Sequence, residues 1–274
     1  MTVVVAARVA AVRTVSPSVV RITLSGVGGV CCHGFDQRIK LLFARGGELV
    51  LPSGDDWWGS YRAIPEDVRP AMRTFTIRGF GPGADLMDVE FALHGVVGPG
   101  AAGHGAAGRG APGRGGAGPA SAWAASAELG STVGVIAAAA PDAARAATAY
   151  EPSGADWQLL AGDETALPAI AAILEALPEP AVARVIVRVP TTADRRELPT
   201  PAEDVAVTWL TGRASLAAAV RAMPRPPGVP YAWVAGEAAE VRDVRRYLVN
   251  EQGWVARSHY FGGYWRAGRS EDAA

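Results

Sequence analysis

The sequence predicts two units in series: an N-terminal antiparallel β-barrel and a C-terminal α/β domain with a mostly parallel sheet. Three observations carry this. Up to residue 93 the apolar residues fall in short runs broken by Gly, Pro, Ser and Asp, as in half-buried antiparallel strands. From residue 157 onward strand-like and helix-like runs alternate, the signature of βαβ units. Between them Ala137 to Asp156 is rich in Ala, Pro and Gly and reads as a linker. The 274 residues suit two domains of ordinary size, expected at 1–140 and 155–274.

In the first unit, Val3 to Val15, Val19 to Leu24, Arg38 to Phe43, Arg73 to Arg78 and Leu86 to Leu93 read as strands, rich in Val, Ile, Thr and Phe. Val19-Val20-Arg21-Ile22-Thr23-Leu24 and Asp88-Val89-Glu90-Phe91-Ala92-Leu93 alternate cleanly, so each buries one face. Residues 96–118 are a Gly/Ala tract that has too little apolar area to offset its ordering entropy, and we read it as a flexible surface insertion. Pro119 to Glu128 follows as a short helix with Pro in its first turn, and Thr132 to Ile136 closes the unit as a strand. In the second unit the expected strands are Trp157 to Ala161, Arg184 to Val189, Val205 to Leu210, Tyr231 to Ala235 and Val255 to Phe261. The expected helices are Ala166 to Leu177, Ala214 to Met223 and Ala238 to Glu251.

Composition excludes several classes. With 49% hydrophobic residues and 19% charged, global disorder has no support. A net charge of −1 argues against a generic nucleic-acid binder, which needs a cationic surplus. No apolar run reaches the roughly 20 residues of a membrane span, and the N-terminus lacks a basic region ahead of its apolar stretch, so a cytoplasmic protein without membrane insertion is expected. The two cysteines, Cys31 and Cys32, are adjacent and read as ordinary thiols; no metal site is expected.

Three places have the form of ligand-binding corners. In Arg73-Thr74-Phe75-Thr76 a guanidinium for phosphate, a ring for stacking and a hydroxyl share one strand; an ordinary edge strand reads the same way. His94, and Gly118-Pro119-Ala120-Ser121 opening a helix, suit an anion at a helix N-terminus, or simply a helix start. Gly162-Asp163-Glu164-Thr165 and Gly236-Glu237 each follow a strand and lead into a helix. Ligands of doubly wound sheets bind at such carboxyl ends, although Gly at these turns and acids in a first helical turn are also common. Arg195 and Arg196 read either as a reader of a 2′-phosphate or as a solvated charged loop. Trp57 and Trp58 read either as contacts to an aromatic chelate or as aromatics covering the core.

Taken together in this order, these motifs, with Tyr231-Ala232-Trp233-Val234-Ala235-Gly236-Glu237 and Gly263-Tyr264-Trp265-Arg266, resemble the siderophore-interacting proteins. These are FAD-containing, NAD(P)H-dependent ferric-siderophore reductases of ferredoxin-reductase type. The resemblance implies that residues 1–140 form an FAD-binding barrel and 155–274 an NAD(P)-binding domain. It implies Arg73 at the FAD phosphates, Phe75 against the flavin and Thr76 near its reactive edge. It places His94, Gly118, Ala120 and Ser121 around the pyrophosphate. Gly162, Asp163, Glu164, Thr165, Gly236 and Glu237 would receive NADPH or NADH, and Lys40, the only lysine in the chain, would lie near the siderophore.

No side chain is assigned a catalytic acid or base role, because the flavin carries the redox chemistry. Phe75 stands where the family has Tyr, which keeps the stacking ring and drops a phenolic hydrogen bond. The Gly/Ala tract interrupts a join that is compact in the family. Two other activities fit the same residues: a flavin reductase for a different acceptor, and a siderophore-binding protein without turnover. A ferric siderophore is the expected small-molecule partner, and a monomer is the default.

Overall fold

The computed structural model describes residues 1–81, 85–93 and 118–268. His94 and nearly all of the predicted insertion therefore lie outside the described residues. The first sheet contains β1 (Thr2–Ser16), β2 (Val19–Ser25), β3 (Arg38–Phe43), β4 (Ala71–Thr76), β5 (Gly79–Phe80), β6 (Leu86–Ala92) and β7 (Thr132–Ala138). Their order is β4-β3-β7-β1-β2-β6-β5, with antiparallel pairing throughout. The sheet curls into a half-barrel, bringing β4 opposite β6, where the rings of Phe75 and Phe91 stand 4.5 Å apart. The alternation read from the sequence sets the inner face: Ile22, Leu24, Leu41, Met87, Val89, Val133 and Val135 are fully buried together. Helix α2 (Pro119–Ser126) plugs one end of the half-barrel with Trp123, whose ring packs on Phe43 and Phe91.

The second sheet is parallel, in the order β10-β9-β8-β11-β12. It comprises β8 (Trp157–Asp163), β9 (Val182–Val189), β10 (Asp204–Thr211), β11 (Pro230–Glu237) and β12 (Tyr260–Trp265). Every residue of β8 is buried, as a central strand covered on both faces requires. Helix α4 (Leu167–Glu175) covers one face, and α5 (Leu216–Ala222) and α6 (Ala238–Arg246) cover the other. The strand order reverses between β8 and β11, the position at which doubly wound sheets bind their ligands.

Several elements differ from the sequence reading. The expected linker contains α3 (Pro141–Ala146) and the buried Tyr150. The connection between β3 and β4 carries α1 (Trp57–Ala63). The last strand runs Tyr260–Trp265, whereas Val255 to Ser258 form a loop and a short 3-10 turn. Two glycines mask that strand's β character, and its position is set by pairing, Gly262 beside Ala235 and Gly263 beside Gly236. Among the described residues no helix is long and apolar enough to cross a membrane.

Three carboxylates tie the two sheets together. Asp36 accepts from the Ala149 and Tyr150 amides and from Trp233 Nε1 at 2.8 Å. Asp194 accepts from the Ser16 hydroxyl and from the Ser18 amide and hydroxyl at 2.7–2.9 Å. Glu90, its side chain wholly buried, accepts from Arg21 and from Arg196 at 2.6 Å. Burial opposes ionisation of Glu90, but the Arg196 and Arg21 guanidinium groups outweigh it and hold the carboxyl below its ordinary range.

Candidate cofactor site

On β4, Arg73 lies opposite Leu41, Thr74 opposite Lys40 and Phe75 opposite Ile39. Strand alternation turns Arg73 and Phe75 to one face. Phe75 is half-buried, its ring packed on Phe91 and edge-on to Phe43, so the core fixes it before any ligand arrives. Arg73 is half-buried and one guanidinium nitrogen donates to the Met72 carbonyl at 2.8 Å. Thr76, buried, ends the strand. Lys40 donates to the Thr74 hydroxyl at 2.6 Å.

Gly118 forms the N-cap of α2 with φ −62°, and no side chain caps that helix. Nothing among the described residues lies within 4 Å of where a Gly118 Cβ would stand. The Ser121 hydroxyl donates to the Ala92 carbonyl at 3.1 Å and so moors α2 to β6, while half-buried Ala120 packs on the half-barrel core. A helix N-terminus that no described side chain caps, together with a ring and a guanidinium carried by β4, is a donor set that fits a flavin bearing a pyrophosphate.

The second corner lies at the strand-order reversal. Asp163, 1% exposed, accepts from the Thr165 amide and hydroxyl, from the Glu237 amide at 2.7 Å and from Trp265 Nε1 at 2.8 Å. One carboxylate thus ties the ends of β8, β11 and β12 together. Its approach explains both glycines. A Cβ on Gly236, where φ is +136°, would stand 2.6 Å from Asp163 Oδ2, and one on Gly162 would meet the Ala235 carbonyl and the Ala166 Cβ.

Glu237 caps α6, accepting from the Ala239 and Glu240 amides, and it also accepts from Ala267 N. Although burial opposes it, these backbone donors hold its carboxyl below the ordinary range. Glu164 differs: burial, reinforced by the neighbouring Asp163 charge, pushes its pKa up to about 7. Arg188 pairs with Glu240 Oε1, and the buried Glu240 Oε2 has no partner among the described residues.

Sequence reading left Arg195 and Arg196 between two roles. The structure separates them: Arg195 is exposed, whereas Arg196 is committed to Glu90 across the domain boundary. Sequence reading also missed Arg78, which donates twice to Glu175 of α4 and stands 3.6 Å from Glu90. Only tertiary contact reveals these partners. Among the described residues no three His, Cys, Asp or Glu side chains gather as a metal site.

A curled antiparallel sheet followed by a parallel sheet with a reversal in its strand order is a ferredoxin-reductase-like fold, and its first half matches an FAD-binding domain. A ferredoxin reductase of a carbazole dioxygenase system shares this fold at 14% identity and TM-score 0.63, covering 96% of this chain and 69% of that one. The family model for the siderophore-interacting FAD-binding domain matches residues 8–143, and that for the siderophore-interacting protein matches 155–268.

The chain belongs to the siderophore-interacting protein family. It is 31% identical to the ferric vibriobactin reductase of Vibrio cholerae, covering 94% of this chain and 88% of that protein. A siderophore utilization protein from T. fusca matches with 32% identity and TM-score 0.77, covering 98% and 95% of the two chains. The siderophore-interacting protein SipS of Aeromonas hydrophila matches with 26% identity and TM-score 0.71, covering 96% and 98%.

Proposed function

We propose that this chain is an FAD-dependent ferric-siderophore reductase that draws electrons from NADPH or NADH. In this reading residues 1–140 hold the flavin and 155–274 receive the nicotinamide nucleotide. The observation that carries it is the junction of the two corners. Asp194 and Arg196, which follow β9, grip Ser16, Ser18 and Glu90 of the half-barrel. Glu90 in turn stands beside Arg78, two residues past Thr76. The end of β4 is thereby held against the carboxyl-end side of the parallel sheet, where a nucleotide of this class sits.

FAD, when bound, couples a two-electron hydride donor to a one-electron iron acceptor. The chain's residues bind and orient. Arg73 and the α2 N-terminus hold the phosphates, with Gly118 leaving room and Ala120 and Ser121 presenting backbone N–H groups. Phe75 backs the flavin ring and Thr76 stands by its reactive edge. Gly162, Asp163, Glu164, Thr165, Gly236 and Glu237 shape the nicotinamide corner, and the spare Glu240 Oε2 offers an acceptor for a ribose hydroxyl. Lys40 attracts an anionic iron chelate. Reduction releases iron because Fe(II) is held less tightly than Fe(III) by hard oxygen donors.

An anaerobic visible spectrum of the FAD-supplemented protein tests this directly. Flavin bands should bleach on adding NADPH or NADH and return when a ferric siderophore follows. Bands that never form, or that bleach and ignore the iron chelate, would overturn the assignment.

A further inference from the structure

Helix α1 makes no contribution to either hydrophobic core: none of its residues is buried. Polar ties hold it instead. Asp56 caps it by accepting from the Gly59 amide, and the Ser60 hydroxyl oxygen accepts from the Ser53 amide. The Tyr61 hydroxyl donates to the Pro70 carbonyl at 2.9 Å. The Arg69 guanidinium donates to the carbonyls of Ile64 and Arg62. On this frame the indole of Trp58 stacks on the Tyr61 ring, with centroids 5.7 Å apart and planes 16° from parallel, and Arg69 stands 5.9 Å from the same ring. Trp58 is nonetheless 51% exposed. Aromatic area ordinarily stabilises by leaving water; here an ordered stack is built and left open.

Its place in the fold points to the occupant. Tyr61 is bonded to Pro70, three residues before Arg73 and so about 10 Å along β4. Helix α2 lies at the same end of the half-barrel, where Trp123 packs on Phe43 and Phe43 pairs with Ala71. A dinucleotide with its flavin at Phe75 and Thr76, and its phosphates between Arg73 and α2, therefore directs its adenosine half toward α1. We propose that Trp58, backed by Tyr61 and Arg69, is the stacking platform for the adenine ring of the bound FAD. This rests on the FAD assignment made above.

FMN, which lacks the adenosine, separates the two ideas. The full-length apoprotein and its Trp58→Ala and Trp58→Phe variants are titrated with FAD and with FMN, following flavin fluorescence. Trp58→Ala should weaken FAD about tenfold, within the range for a base losing its aromatic partner. FMN binding should stay within about twofold, and Trp58→Phe should recover most of the FAD affinity. Equal losses for both flavins, or none for either, would overturn the platform, as would a wild type that binds FMN as tightly as FAD; all three leave the FAD assignment standing. A wild type that binds neither flavin would overturn that assignment and the platform with it.

Discussion

At the end of β8 both oxygens of Asp163 are taken by the protein itself, whereas no described side chain caps the start of α2. Both corners look alike in sequence, each a glycine or small residue among polar groups at an element boundary. The difference is what surrounds them. Asp163 lies between three parallel strands, where an unpaired carboxylate would be costly, so the fold saturates it. Gly118 lies at the start of α2, and no atom of the described residues stands within 4 Å of where its Cβ would be. Two motifs alike in sequence thus differ in the fold: one carboxylate is saturated by the protein, and one helix start is left without a described side-chain cap.

The largest test of this contrast is Asp163→Ala. It strands the Glu237 amide, the Trp265 indole and Thr165, and should cost about 4 kcal/mol in chemical denaturation. A loss below about 1 kcal/mol would mean that these ties are not structural.

Glu164 provides the next test, through pH. Its folded pKa, near 7, lies above its ordinary value of 4.5, so the folded state binds the proton more tightly. The stability this gives is complete below about pH 4.5 and is lost as pH rises through 7, a span of about 3 kcal/mol. Glu90, Asp194 and Glu237, held low, act in the opposite sense, losing stability as pH falls into the acid range. Denaturation midpoints measured from pH 4.5 to 8 should therefore fall with pH in the wild type. Glu164→Gln should flatten that limb, and an unchanged slope would assign it to another group.

The glycines give the smallest and most selective pair. Gly162→Ala drives a methyl into the Ala235 carbonyl and Ala166 and should cost about 2 kcal/mol. Gly118→Ala meets no atom of the described residues and has an ordinary φ, so thermal unfolding of the apoprotein should move by less than about 0.5 kcal/mol. Its effect should fall on FAD affinity, read by flavin fluorescence. Equal stability losses at the two positions would erase the distinction between the two corners.

The regular elements were largely legible because alternation and helix–strand succession are local and repeat along the chain. Ile22, Leu24, Val89 and Phe91 alternate in sequence and are buried in the half-barrel, and the Trp157 and Tyr231 runs became neighbouring strands. The last strand was misplaced by several residues because Gly262 and Gly263 carry no β signal and owe their conformation to β11. Helix α1 was missed because it buries no residue and so leaves no 3.6-residue apolar period.

By itself the sequence determined the succession of an antiparallel and a parallel sheet and the motif order that marks the family. Tertiary structure decided how the residues are used. It set Arg196 on Glu90 in place of a solvated loop, closed Asp163 around three strands, and joined the halves through Asp36, Glu90 and Asp194. The physical reason is range. Hydrophobic periodicity is written in neighbouring residues, whereas a buried charge takes its partner from whatever the fold brings within hydrogen-bond distance, here as far as 197 positions away.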